Sequence, residues 1–361
     1  MWLDALIIFV KALLFLSAVL TLTSLLTWME RKQSAVMQDR IGANRASIFG
    51  IRAFGLFHII ADALKMFFKE DYVPEGADRV LHTVAPFAAL FFALMSFAAI
   101  PFGSSIELAG RSIPLIVLPL NVGLLFVFSM MSMGIYGTFL AGFSSNNKYA
   151  FLGGLRASSQ MISYEITMGA TLIGLLMTFG TLDLMEVNRA QGELLWGWLP
   201  RWGIFLQPLG FILFLTAGIA ETKRVPFDLP EGESEIIGYF VEYSSMKFGA
   251  FFMTDFVETI LIAALVVTLF FGGWQVPYLQ TSGFHLPGGF TWNLPPAFVA
   301  LAQVAAFGLK VVLMCWLLLL IRWTLPRFRY DQLMHLGWKI MLPISVLNIF
   351  ATGLILLWIQ S

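Results

Sequence analysis

Six carboxylates fall within the stretch ETKRVPFDLPEGESEIIGYFVE, residues 221–242: Glu221, Asp228, Glu231, Glu233, Glu235 and Glu242. The cations among them are Lys223 and Arg224. In a chain of which only 12% is charged, that concentration demands a reason. A charge run is most often a solvated loop. Here Phe227, Ile236, Ile237, Tyr239 and Phe240 interleave with the acids, which suits a packed segment. Further acids lie inside apolar runs: Glu165 in MISYEITMG, and Asp255 and Glu258 in FFMTDFVETI. Carboxylates within a membrane are costly and mark ion or proton paths. Acids crowded in a poorly hydrated place cannot all ionise, so they titrate as a coupled set. Such a set takes up or passes protons when a nearby charge changes. The pattern reads as a proton relay running from a surface loop into a membrane.

The elements that must position these acids follow from their neighbours. Pro226 and Pro230 forbid a continuous helix, so the preceding apolar segment must end near Lys223. Beyond Pro230 a new helix is expected, with acids at its positive end. At helical spacing Glu231, Glu235 and Glu242 share one face, and Glu233 lies opposite. Upstream, RAFGLFHIIADALKMFFKE places Phe54, Phe57, Ile60, Ala61, Leu64, Phe67 and Phe68 on one helical face, with Asp62, Lys65 and Lys69 on the other. That is an amphipathic helix of the kind that lies in a membrane interface. Its apolar face would frame an opening through which a lipid-soluble molecule leaves the bilayer.

Composition places all of this in a bilayer. The chain is 58% hydrophobic with 35 phenylalanines, and its mean hydropathy is +0.81. Segments of roughly twenty apolar residues can cross the hydrocarbon core. Eight spans are expected, at about 5–28, 82–101, 114–141, 160–181, 203–220, 246–271, 296–321 and 340–359. The fold class is thus all-α integral membrane, one polytopic domain over 1–361. It adds a cytoplasmic-side interfacial helix and an acidic cytoplasmic loop between spans five and six. Lysine and arginine crowd the odd-numbered connectors, whereas the others hold Arg111, Arg189 and Arg201. The positive-inside rule then puts both termini on the non-cytoplasmic side. The first span is long and followed by MERK, so it reads as a membrane helix rather than a removable leader. Lys11 is expected to snorkel outward, and Lys310, mid-span, to face protein or water.

What is missing matters as much. Cys315 is the sole cysteine, and His58, His82, His285 and His335 are scattered without ligand spacing. No metal, flavin or haem is expected on this chain, so electrons would have to come from elsewhere. No basic stripe with interleaved aromatics suggests nucleic acid.

At this point the residues resemble a known family. ETKRVPFDLPEGESE followed by EYSSMKFGAFFMTDF is similar to the signature loop of the H subunit of NADH–quinone oxidoreductase, respiratory complex I. MERKQSAVMQDRIGANRA and IIADALKMFFKED resemble that family's segment after the first span and its interfacial helix. The resemblance covers essentially the whole chain. It implies a component of the bacterial inner membrane, part of a translocase, that walls a quinone chamber and relays protonation changes to pump modules. Its partners would be peripheral-arm iron–sulfur and quinone-site subunits, membrane-arm pump subunits and membrane lipid. Quinone, ubiquinone or menaquinone, would be the substrate. By match, Glu30, Arg31, Arg40 and Asp62 would line the quinone entrance, while Arg224, Phe227 and Asp228 would shape the chamber. Glu165, Glu221, Glu231, Glu233, Glu235, Glu242 and Asp255 would form the proton relay. The chain departs from the family where Ala43 replaces a usual proline, where His58-Ile59 replaces Gln-Pro, and in a shorter Glu235–Glu242 interval. Two alternatives stay open: the homologous subunit of a membrane-bound hydrogenase or formate hydrogenlyase, and a stand-alone secondary transporter. The chain shows no internal repeat of the kind common in such transporters.

Overall fold

A computed structural model describes residues 2–108, 111–195, 198–230, 232, 238–280, 283–285 and 291–360. Among these residues seven helices are long and apolar enough to cross a bilayer. They are α1 (Trp2–Met37), α3 (Arg79–Ser96), α4 (Gly123–Ser144), α5 (Lys148–Phe179), α9 (Ser245–Phe270), α10 (Pro296–Thr324) and a last one, α11 (Tyr330–His335), running through a π-helical turn (Leu336–Met341) into α12 (Leu342–Gln360). The amphipathic α2 (Phe57–Phe68) lies between α1 and α3, and the short α6 (Leu184–Gln191) follows α5. The protein is an all-α membrane protein.

The expected fifth span is different in kind. Instead of one helix over 203–220, a single turn, α7 (Gly203–Leu206), is followed by α8 (Pro208–Glu221). Pro208 has no N–H to continue the ladder and pushes Gln207 out of the helical region, to φ −137° and ψ 63°. At 1.5 Å per residue, α8 is only about 21 Å long, shorter than a hydrocarbon core of about 30 Å. Its break is stitched by side chains. Asn348 donates to Gln207 Oε1 (2.9 Å), and Gln207 donates to Thr352 Oγ1 (2.7 Å).

Three further helices exceed the expected spans, the last of them starting at Tyr330 rather than near 340. α5 begins at Lys148, where Asn147 caps it by accepting from the Tyr149 N–H, and it ends on Gly180 in the left-handed region at φ 70°. α1 has 36 residues, about 54 Å, and carries Glu30 and Arg31 on continuous helix rather than on a loop. At the opposite end of the bundle from α2, the described residues form three small antiparallel sheets. These are β1 (Ser105–Leu108) with β2 (Arg111–Pro114), β3 (Leu194–Leu195) with β4 (Leu199–Pro200), and β5 (Leu279–Gln280), β6 (Gly283–His285) and β7 (Thr291–Asn293).

α9 is the central pillar. From Thr259 to Phe270 every residue is buried, against α3, α1, α10 and α8. Apolar burial gives little drive once lipid replaces water, so close backbone approach must supply the packing. A Cβ on Gly137 of α4 would lie 2.7 Å from Ala89 of α3, so only glycine permits that crossing. The two lysines within spans are satisfied by carbonyls at the sheet end. Lys11 donates to the Pro114 and Ile116 oxygens (3.3 and 2.8 Å). Lys310 donates to those of Phe271, Gly273 and Gln275 (2.8, 3.0 and 2.7 Å).

Candidate functional site: a charged line from an interfacial pocket into the helices

The length of α1 brings Arg31 beside α2. Arg31 pairs with Asp62 at 2.6 Å, both roughly two-fifths exposed. The pair edges a cavity of about 220 Å³ whose other walls include Lys65 and Met66 of α2 and Phe248 and Phe252 of α9. Ile60, Leu64, Phe67 and Phe68 of α2 remain exposed, so the helix presents an apolar surface outward. The cavity combines a charged rim, an apolar floor and an apolar flank, the construction expected for an amphipathic ligand with a long tail.

One residue earlier, Glu30 joins three segments. Its carboxylate meets Arg224 at 3.2 Å and Arg322 of α10 at 2.8 Å. The Arg224 guanidinium lies over the Phe256 ring, 4.0 Å from its centroid. Loop 222–230 that carries Arg224 is pinned rather than free. Gln160 of α5 donates to the carbonyls of both Ala220 and Phe227 at 2.7 Å. The Phe328 N–H donates to Pro226 O, and the Phe227 ring packs 5.3 Å from Phe328 and 5.9 Å from Tyr164. Asp228 is held by Arg327 at 2.8 Å. Burial pushes its carboxyl up to about 6, against the pull of Arg327 and Arg322 in the other direction.

Deeper in, the same loop places Lys223 with no solvent exposure at 3.4 Å from Asp255 and 3.3 Å from Glu258. Those two acids are three residues apart on α9 and so share a face. Glu221, the last residue of α8, is buried within electrostatic reach of Glu165, Glu258 and Lys223. Glu221 and Glu258 both line a cavity of about 10 Å³, walled also by Met131 and Met161, which is room for about one water. Glu165 of α5 accepts a hydrogen bond from Ser132 of α4. Around Lys223, then, carboxylates outnumber ammonium groups. A cluster of that kind can rearrange protons without moving its backbone.

Comparison with known proteins decides the family. A family model described as NADH dehydrogenase matches residues 10–353. The chain is 43% identical to an NADH-quinone oxidoreductase H subunit of Cytophaga hutchinsonii, over 96% of this chain and 95% of the relative. It is 42% identical to the H subunit of Flavobacterium psychrophilum, over 94% and 95%. It is also 40% identical to the H subunit of Thermomicrobium roseum, over 99% and 98%. The chain belongs to the NADH dehydrogenase family, that of the H subunit of NADH-quinone oxidoreductase.

Against the residues that the family resemblance singled out, the structure is selective. Glu30, Arg31, Asp62, Arg224, Phe227 and Asp228 come together around α1, α2 and the pinned loop. Arg40 does not join them: it is exposed on the turn after α1, bonded to Gln38 at 2.7 Å. Glu221, Glu165 and Asp255 converge in the interior. Glu242 lies elsewhere. Residues 239–242 form turns, so Glu242 is on no helix continuing the acidic stretch, and it accepts from Asn147 Nδ2 at 2.6 Å. Glu231, Glu233 and Glu235, with the helix expected for them, fall outside the described residues. The residues carried over from the family resemblance left out Lys223, Glu258, Arg322 and Arg327, although Glu258 stands out in the sequence as an acid inside an apolar run. Glu258 had a signal in its three-residue spacing from Asp255. The two arginines had none, because they reach the site from α10 and the segment after it, some hundred residues on. Among the described residues no group of three His, Cys, Asp or Glu side chains is arranged to hold a metal ion.

Proposed function

We propose that this chain is the quinone-entrance and coupling component of a proton-translocating NADH–quinone oxidoreductase in a bacterial inner membrane. In this reading it is a single polytopic domain, with α8 counted among eight spans and both termini on the non-cytoplasmic side. The names of its relatives supply the quinone and the enzyme complex; the quinone would be ubiquinone or menaquinone. The observation that carries the reading is a succession of three sets of charge contacts, Arg31 with Asp62 at the cavity, Glu30 with Arg224, and Lys223 with Asp255 and Glu258, joined through the chain neighbours Glu30–Arg31 and Lys223–Arg224.

Quinone would enter past the apolar face of α2 and reach a chamber shared with a peripheral-arm partner. Electrons would arrive there from partner iron–sulfur subunits, since this chain acts as a non-redox wall. Loop 222–230 links the two functions mechanically. Its Arg224, Phe227 and Asp228 face the chamber side, while Glu221 and Lys223 at its start belong to the buried cluster. A charge appearing at the chamber would bias Arg224 and Lys223, and the carboxylates around Lys223 would redistribute protons towards membrane-arm pump subunits. Glu231, Glu233, Glu235 and Glu242 would extend the relay on the loop side.

The test is Glu221→Gln in the assembled complex in inverted membrane vesicles. NADH-driven quinone reduction and proton uptake should fall about ten-fold or more, while reduction of ferricyanide by NADH persists. Unchanged quinone reduction and pumping would refute the relay.

A further inference from the structure

A second cavity, of about 350 Å³, lies between α1, α9 and α10, apart from the Arg31–Asp62 pocket. Its walls are apolar, including Phe15, Phe102, Ala264, Phe307 and Gly308, and among the described residues its one charged lining residue is Lys11. The Phe15 ring is fixed by stacking on Phe102 at 4.9 Å and by an edge contact with Phe97 at 5.9 Å. On either side, Leu14 of α1 and Leu309 of α10 are more than 60% exposed, so the groove opens on the membrane-facing surface.

Lys11 is the feature that selects an occupant. Its ammonium has three N–H groups, and two are taken by the Pro114 and Ile116 carbonyls. Among the described residues no carboxylate lies within ion-pair distance of it, and Asp4, two turns before it on α1, is paired with Arg111 at 3.4 Å. An ammonium without a counter-charge at the end of a lipid-facing apolar groove matches an anionic headgroup joined to a hydrocarbon chain. A neutral quinone has no charge for Lys11, and a zwitterionic lipid brings an ammonium of its own. Gly308 keeps the groove open, since a Cβ there would meet nothing within 4 Å.

We propose that this groove binds one acyl chain of an anionic phospholipid whose phosphate pairs with Lys11. The site is separate from the quinone entrance and would seat lipid at the sheet end of the bundle.

The test uses the chain with its co-purifying subunits in mild detergent, supplied with equal phosphatidylglycerol and phosphatidylcholine, with bound lipid counted by native mass spectrometry. Gly308→Leu fills open space and should retain one lipid fewer than the unsubstituted protein. Lys11→Gln should lower the preference for phosphatidylglycerol in the retained lipid about five-fold, the factor for one lysine at an anionic surface. A photoreactive p-benzoylphenylalanine at position 308 should crosslink to phospholipid, which keeps the test open if Gly308→Leu does not assemble. An equal lipid count, an unchanged preference, or a crosslink to a neighbouring subunit overturns the proposal.

Discussion

A buried lysine and a half-buried one hold opposite ends of this bundle by different chemistry. Near α2, Lys223 sits between Asp255 and Glu258, groups that can gain or lose a proton. At the sheet end, Lys310 is bound by three backbone carbonyls after α9 and lies 4.9 Å from the Trp202 ring. Carbonyls do not titrate, so Lys310 clasps the chain that leaves α9 through partners of fixed charge. Gln191 reinforces it by donating to Thr268 O and accepting from the Gly203 and Gly272 N–H groups. The partners at one end cannot titrate, whereas those at the other can. The same residue type therefore serves opposite ends, and the partner's ability to titrate is what separates them.

The contrast breaks first at the lysines themselves. Lys223→Met leaves buried carboxylates without their cation, a loss of about 3–5 kcal/mol when one partner of a buried pair is removed. NADH–quinone turnover in membranes should fall at least ten-fold. Lys310→Met should instead leave turnover within about two-fold and lower the thermal midpoint of the purified complex, since the carbonyls it strands cost about 1–3 kcal/mol each at most. Equal loss of turnover in both variants would erase the distinction.

A smaller effect is expected from pH. Above about 6 Asp228 is ionised and pairs with Arg327; below it the carboxyl is protonated and the pair loses its charge. Quinone-coupled turnover should therefore drop as pH falls through 6, and Asp228→Asn should flatten that step at the low-pH level. The stability term has the opposite sense. Because the native carboxyl binds its proton more tightly than its ordinary value of 3.8 implies, its contribution to folding is complete below that value and lost as pH rises through about 6. A pH profile unchanged in Asp228→Asn would detach the residue from quinone-coupled turnover.

The smallest effect concerns the rim of the proposed entrance. Ala61 is exposed on α2, one residue before Asp62. Ala61→Trp should slow turnover with long-tailed quinones about two- to five-fold and leave short-tailed analogues nearly unaffected. Equal slowing of both would place the obstruction elsewhere than at the entrance.

Much of this was legible in the residues. Apolar segments gave the long helices, because a bilayer leaves the backbone no other way to satisfy its polar groups. The period of α2 and the end of α8 near Lys223 followed from side-chain spacing and from Pro226. The break at Gln207 was also written in the sequence, as Pro208, yet hydropathy averages over a single proline and hides it. The reach of α1 to Met37 was hidden for a related reason. Glu30 and Arg31 lower the local hydropathy without lowering helix propensity, so the helix outlasts the apolar run.

What the sequence determined by itself is the inventory: a membrane chain, its acids, and the proline-bounded loop that interrupts them. Which acids meet was decided by packing. Glu30 finds Arg322 across 292 positions of chain, and Asp228 finds Arg327 across 99, because α10 crosses the loop there. Glu242, close to the others in sequence, is led away to Asn147. Electrostatic pairing acts over a few ångströms in space, and only the fold converts distance along the chain into that proximity.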